Sequence, residues 1–265
     1  MSTELLTSIE GPIARITFNR PQACNAVNQG MVTAMRNFLE KVAADDSVRC
    51  VVLTGAGEHF MAGGDVSGFG EVLSQSPEER RQAFVQRVHN AAPVFRHLVT
   101  MPQPVIASVR GACAGAAVGF AACCDFILAG ESALFLVAHV HIGASPDGAT
   151  TYALPRKVGT AKAMEMAMLG GRVTAQQALA AGLVNQVVAD SELEAATGKL
   201  AQQIVGLPAG SVRHIKSLIN QSLNNGLDRQ LELEAEAFAD CAASPDFVEG
   251  VSAFLEKRKA EFNRQ

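Results

Sequence analysis

The stretch Val48-Arg49-Cys50-Val51-Val52-Leu53-Thr54, closed by Gly55, decides the fold class. From Cys50 to Leu53 it is continuously apolar instead of alternating, the pattern of a strand buried on both faces of a mostly parallel sheet. Upstream, Asn28 caps a helical pattern in which Met31, Met35, Phe38, Leu39 and Val42 recur at three- and four-residue spacing until Asp45-Asp46. Before that, Leu5–Ile9 and Ile13–Phe18 flank Gly11-Pro12 and predict a hairpin. A strand, helix, strand unit is thus complete within the first 54 residues, and the chain reads as α/β.

Working downstream, Gly55–Gly70 is rich in glycine, so its backbone can approach a ligand without Cβ obstruction. Pro77–Val99 predicts a long helix, with Pro77 in its first turn, Glu78 and Glu79 at its positive end, Phe84, Val88, Ala91 and Phe95 on one face, and Pro93 placed to kink it. Pro104–Val109 and Asp125–Ala129 read as buried strands around the small-residue stretch Gly111–Ala122, and Ala133–Val140 as a further β segment. Helices are expected over Pro155–Leu169 and Thr174–Ala181, the latter opened by Thr174 and Gln177 at capping-box spacing. Beyond Pro208 the segments Ser211–Asn224, Leu227–Cys241 and Pro245–Phe262 are all helical in pattern. No low-complexity linker or repeat intervenes, so we divide the chain into a core over 1–205 and a helical subdomain over 206–265 attached to it.

Composition excludes several function classes. With 48% hydrophobic and 18% charged residues, the 265-residue chain can bury a large core and is not disordered. Its 22 Lys and Arg against 26 Asp and Glu leave a net charge of −4, with no basic run. No phosphate-neutralising stripe of a nucleic-acid binder is present, and with Trp absent and Tyr152 the only tyrosine, stacking platforms are scarce. The six cysteines (Cys24, Cys50, Cys113, Cys123, Cys124, Cys241) show no CxxC spacing, and the adjacent pair is poorly placed to bridge itself, which implies reduced thiols and a cytoplasmic location. Met1–Gly11 carries Glu4 and Glu10 and lacks the pattern of a secretory signal. The least charged stretch, Gly111–Cys124, is shorter than the roughly 20 residues a membrane span requires.

Chemistry is expected where a strand end, glycine or alanine, and an incipient helix meet. Two segments qualify: His59-Phe60-Met61-Ala62-Gly63-Gly64-Asp65 and Arg110-Gly111-Ala112-Cys113-Ala114-Gly115-Ala116-Ala117. Each can aim backbone N–H groups at an acceptor, and two such groups on one carbonyl oxygen make an oxyanion hole; close packing at small residues is the alternative reading. Neither fits a nucleotide-binding loop.

These segments, with Ile16-Thr17-Phe18-Asn19-Arg20-Pro21, Pro104-Val105-Ile106-Ala107-Ser108-Val109-Arg110-Gly111, Ala178-Leu179-Ala180-Ala181-Gly182-Leu183-Val184 and Phe254-Leu255-Glu256-Lys257-Arg258-Lys259, resemble the crotonase (enoyl-CoA hydratase/isomerase) superfamily over nearly the whole chain. The resemblance implies a spiral of ββα units whose helical C-terminal part builds trimers, often paired into hexamers. It implies an acyl-CoA thioester substrate of the kind met in fatty acid metabolism, and no cofactor or metal beyond the CoA moiety. By the same resemblance the oxyanion donors are the N–H groups of Gly64 and Ala116, the latter in place of a usual glycine and tolerable if its φ is negative. CoA-binding positions carry over to Gln22, Ala23, Cys24, Ala26, Ala62, Asp65 and Val66, and Phe254 and Lys257 match positions that reach the CoA of a neighbouring subunit.

The family's hydratases use two glutamates, and here those positions read Gly119 and His139. Ala144-Ser145-Pro146-Asp147-Gly148 instead offers one carboxylate. Asp147 matches a position where diene isomerases and aryl-CoA dehalogenases carry a catalytic aspartate, and its setting is similar to that of the epoxyphenylacetyl-CoA isomerase branch. The expectation is double-bond isomerisation with Asp147 as acid and base. Alternatives are a hydratase with non-standard residues, a hydrolase or dehalogenase using Asp147 as nucleophile, a non-catalytic CoA-ester-binding subunit, or Asp147 as a helix cap. The dehalogenase base position falls on Ala92, with His89 three residues away. His139 and His141 are expected to alternate along a strand and share a face, His139 either assisting proton transfer or serving structure. The pocket wall is expected to include Val66–Leu73, Phe84, Val88 and Leu136.

Overall fold

The computed structural model describes residues 3–262, with positions 68 and 71 described in backbone only; residues 1, 2 and 263–265 of the two expected segments lie outside the described residues. The hairpin forms as β1 (Leu5–Glu10) and β2 (Ile13–Phe18), followed by α1 (Gln29–Ala43), whose N-cap Asn28 accepts from the Met31 N–H. Next come β3 (Cys50–Gly55), a short α2 (Gly70–Leu73) and the long α3 (Pro77–Thr100), which continues through Pro93 and opens on a capping box between Ser76 and Glu79. The middle of the chain holds β4 (Val105–Val109), β5 (Ala112–Ala114), α4 (Ala116–Ala122), β6 (Phe126–Gly130), β7 (Leu134–Leu136) and α5 (Thr150–Leu169). Then follow β8 (Val173–Thr174), α6 (Ala175–Ala180), β9 (Gln186–Val188), α7 (Leu193–Val205), α8 (Ala209–Ser222), α9 (Leu227–Ala242) and α10 (Pro245–Leu255).

Two sheets result, one of six strands in the order β1-β2-β3-β4-β6-β9 and one of three in the order β5-β7-β8. In the units β4-β5-α4 and β6-β7-α5 the first strand joins the larger sheet and the second joins the smaller, so each ββα turn advances the chain by one strand in both. A parallel bridge between Met61 and Cys113 places the segment after β3 on the same course. This is the spiral expected from the resemblance.

The apolar run in β3 is buried on both sides for a visible reason. Val51 and Leu53 enter the main core, whereas Cys50 and Val52 pack with Leu193, Ala201 and Ile204 of α7. That helix was not foreseen, although its buried residues Leu193, Thr197, Ala201 and Ile204 stand at helical spacing.

Other expectations need correction. The β segment over Ala133–Val140 is only Leu134–Leu136, because the chain turns into a 3₁₀ helix at Ala138–Ile142. His139 and His141 therefore do not alternate on one strand face. The helix expected from Pro155 begins at Thr150 and breaks at Gly159, where φ is 75°. The last helix stops at Leu255, since Lys257 takes a left-handed conformation.

The C-terminal helices are tied to the core by one buried cation. Lys216 of α8 lies 2.7 Å from the Asp125 carboxylate and donates to the carbonyls of Leu98 and Gln103, while Asp125 also accepts from the Val105 N–H. Removing the ammonium leaves a largely buried carboxylate and two carbonyls without their partner, so Lys216→Ala is expected to lower stability by about 3 kcal/mol in urea unfolding. A change below ~0.5 kcal/mol would show that the anchor is dispensable.

Candidate active site

Aromatic packing sets the floor on which the site is built. Phe18 of β2 contacts Phe60 and Phe120 edge-on, with ring centroids 5.6 and 5.8 Å apart, and Phe120 of α4 meets Phe95 of α3 at 4.5 Å. This chain of rings joins β2, the loop after β3, and the helices α3 and α4.

The loop Phe60–Asp65 is laced to its neighbours on both edges. Val27 N–H donates to Gly63 O and Asp65 N–H to Val27 O on one side, while Ala62 N–H reaches Cys24 O. On the other side Met61 N–H donates to Ala112 O and Ala114 N–H to Met61 O. The two glycine-rich segments consequently press together. At Gly63, where φ is 92°, an added Cβ would stand 2.9 Å from Ala114 O and 3.5 Å from the Ala116 nitrogen, so only glycine allows the approach. Gly64 N–H and Ala116 N–H make no hydrogen bond within the described residues. Ala116 opens α4, where first-turn donors lack helical partners, and its φ is not positive.

Gly64 and Ala116 line one cavity of about 340 Å³, and Asp147 lines it too. Asp147 is the only carboxylate on its walls among the described residues. Gly148 and Ala149, both left-handed at φ 61° and 55°, turn the chain sharply after it. The helix-cap reading of Asp147 is not what the structure shows: the N-cap of α5 is Ala149, and the Asp147 carboxylate instead meets His139 Nε2 at 3.0 Å. The His139 side chain is 10% exposed and that of Asp147 45%, so the imidazole stands behind a carboxylate open to the cavity. Nδ1 of His139 is buried with no partner among the described residues.

The remaining sequence-derived positions separate into two groups. Gln22, Ala23, Cys24 and Ala26 form a turn beside the donor loop, bound to it through the Cys24 carbonyl. The Asp65 carboxylate is held by Ser67 and by Arg20 at 2.7 Å, which draws its pKa from 3.8 to about 2; it braces the donor loop, and Val66 beside it is exposed. Phe254 and Lys257 lie on the C-terminal segment, outside the walls of this cavity. Of the expected wall, Val88 lines the cavity, but Phe69, Val72 and Phe84 line a smaller depression of about 240 Å³, and Leu136 instead accepts from Gly115 N–H. Ala92 is on the wall and no histidine is. His141 Nε2 is engaged by Gly170 O, and among the described residues no group of three metal-ligating side chains occurs. Arg87 and Arg96 are also on the wall, and nothing in the sequence pattern of α3 singles them out.

The enoyl-CoA hydratase/isomerase family model matches residues 8–265. The chain belongs to the enoyl-CoA hydratase/isomerase family. It is 38% identical to the 1,2-epoxyphenylacetyl-CoA isomerase of Escherichia coli strain K12, over 97% of each chain. It is also 35% identical to the crotonyl-CoA hydratase of Syntrophomonas wolfei, over 96% of this chain and 95% of that one. Among solved structures, an enoyl-CoA hydratase from Polaromonas sp. JS666 superposes with a TM-score of 0.91 at 31% identity, covering 98% of this chain and 99% of the other.

Within this enoyl-CoA hydratase/isomerase chain, the position resembling the first hydratase glutamate is sterically closed. An added Cβ at buried Gly119 would lie 2.0 Å from Gly148 O and 2.7 Å from Thr150 Oγ1. The turn that presents Asp147 thus occupies the space a side chain at 119 would need. Gly119→Ala is expected to lower stability by about 1–3 kcal/mol through overpacking, read by chemical denaturation; unchanged stability would mean that the turn yields freely.

Proposed function

We propose that the chain is an enoyl-CoA double-bond isomerase. The observation that carries this reading is a single wall carboxylate, Asp147, in the cavity lined by the two unengaged donors, Gly64 and Ala116. The thioester oxygen accepts from both N–H groups, which lowers the cost of negative charge on that oxygen and acidifies the α and γ carbons. Asp147 removes a proton from one of these carbons, the C–H electron pair passes into a dienolate with its charge on the thioester oxygen, and the same carboxyl returns the proton to the other carbon, two positions along, so that the C=C bond is displaced. No water is consumed, and apart from the proton it carries Asp147 forms no covalent bond to the acyl group. His139, with its proton assigned to Nε2, donates to Asp147 Oδ1 and leaves the second oxygen for the substrate.

Closure of the space at Gly119 supports isomerisation over hydration, since a second carboxylate to position water has no room there. The turn Gln22–Ala26, Ala62, Asp65 and Val66 are proposed to flank the CoA moiety, the only cofactor-like group the reaction needs. The C-terminal helices expose Ile219, Leu223, Leu227, Leu231, Phe238 and Phe254, an apolar surface that suits burial in a homotrimer or a hexamer of paired trimers. Phe254 and Lys257 would there meet a neighbouring subunit's CoA. No helix among the described residues is long and apolar enough to cross a membrane, and we place the enzyme in the cytoplasm.

Asp147→Asn keeps the shape of the side chain and its contact with His139 while removing the base. It is expected to lower kcat for enoyl-CoA isomerisation by about 10²–10⁴-fold with KM little changed, followed by separation of the positional isomers. Unchanged turnover on every enoyl-CoA that the unsubstituted enzyme converts would overturn the role of Asp147.

A further inference from the structure

The cavity also holds a cation that the proton-transfer scheme does not use. Arg87 lies on the α3 face toward the site and lines both the reaction cavity and the adjoining depression. Its guanidinium stands over the Phe69 ring, 5.0 Å from the centroid, and Phe69 is itself braced edge-on by Phe84 at 4.9 Å. One terminal nitrogen, Nη2, lies 3.7 Å from the place a Cβ on Gly64 would occupy. No carboxylate lies within ion-pair distance of Arg87 among the described residues, and Asp147, on the same wall, is engaged by His139 instead. A half-buried guanidinium with no counter-ion among the described residues, facing a mostly apolar cavity, retains a large part of its field there.

We infer that Arg87 is a third, cationic member of the oxyanion site, placed beside the Gly64 donor to stabilise the negative charge that develops on the thioester oxygen. The inference rests on the reading of Gly64 and Ala116 as the thioester donors. Neutral N–H dipoles act over a hydrogen-bond length, whereas a full charge acts over several ångströms in a site sheltered from water. The added charge makes up for what a single-carboxylate mechanism lacks: with no second acid to protonate the enolate oxygen, the oxygen stays charged until the proton returns to carbon. The Phe69 ring holds the guanidinium in place without neutralising it, which a carboxylate partner would do.

Two readouts on one set of proteins test this. The first is the red shift of a neutral push–pull chromophore, a para-dialkylamino cinnamoyl-CoA, on binding; it reports polarisation of the thioester carbonyl with no proton transfer. The second is exchange of α-hydrogens of a saturated acyl-CoA with D₂O, which reports enolate formation alone. Arg87→Gln, and Arg87→Met if the first folds poorly, are expected to reduce the red shift and slow exchange by about 10- to 100-fold, less than or equal to the loss of a direct donor. Arg87→Lys is expected to retain most of both. Asp147→Asn should abolish exchange and leave the shift. Equal shift and exchange in Arg87→Gln, Arg87→Met and the unsubstituted enzyme overturn the inference, as does a loss confined to acyl-CoAs bearing a second carboxylate. Exchange that survives in Asp147→Asn overturns the proton-transfer reading instead, and no shift in any protein overturns the donor reading on which this inference stands.

Discussion

The contact on which the rest depends is the approach of Gly63 to the Ala114–Ala116 backbone. Two segments distant in sequence meet there with no room for a side chain between them, and strand-like hydrogen bonds, Met61 N–H to Ala112 O and Ala114 N–H to Met61 O, fix their register. Backbone donors in a fold are normally consumed by their own secondary structure. Here one belongs to Gly64, whose bridge to Val27 is bonded through Gly63 and Asp65 instead, and the other to the first residue of a helix, so neither has a partner among the described residues and both residues line the same cavity. Close packing at small residues and oxyanion binding, the two readings those glycines allow, are compatible with each other: the packing leaves both N–H groups without a partner among the described residues, as the proposed function requires.

Everything around that contact either rigidifies it or aims charge at it. The Phe18, Phe60, Phe120 and Phe95 rings fill the space behind, and the Arg20–Asp65 pair braces the loop's exit. The turn at Asp147–Ala149 crowds Gly119 and Ala116 with two left-handed residues, a conformation that costs about 1–2 kcal/mol at the alanine. That strain positions the carboxylate against His139 and simultaneously excludes a side chain from position 119. The choice between one carboxylate and two is therefore steric as well as chemical.

How legible this was in the sequence follows from the range of each interaction. Local patterns read true: the β1–β2 hairpin, the Asn28 cap, the Thr174–Gln177 capping box and the doubly buried β3 all depend on neighbours within a few residues or on one sheet. The family resemblance, carried by the two glycine-rich loops, supplied the spiral that periodicity alone could not. Failures came where a tertiary partner decides. His139 reads as a strand residue alternating with His141, yet the chain coils into a 3₁₀ turn that brings the imidazole to Asp147. Arg87 reads as one charge among several on α3, and only the position of Gly64 beside it gives it a role. The closure of Gly119 by Gly148 has no local signature at all.

The central claim is that the site moves a proton and adds nothing to the acyl group. It is tested most directly by incubating the unsubstituted enzyme with a panel of short, medium and aryl enoyl-CoAs in H₂¹⁸O and following product masses. The account predicts positional isomers of unchanged mass without ¹⁸O. Products heavier by one labelled water, or free acid carrying ¹⁸O with release of CoA, would contradict it.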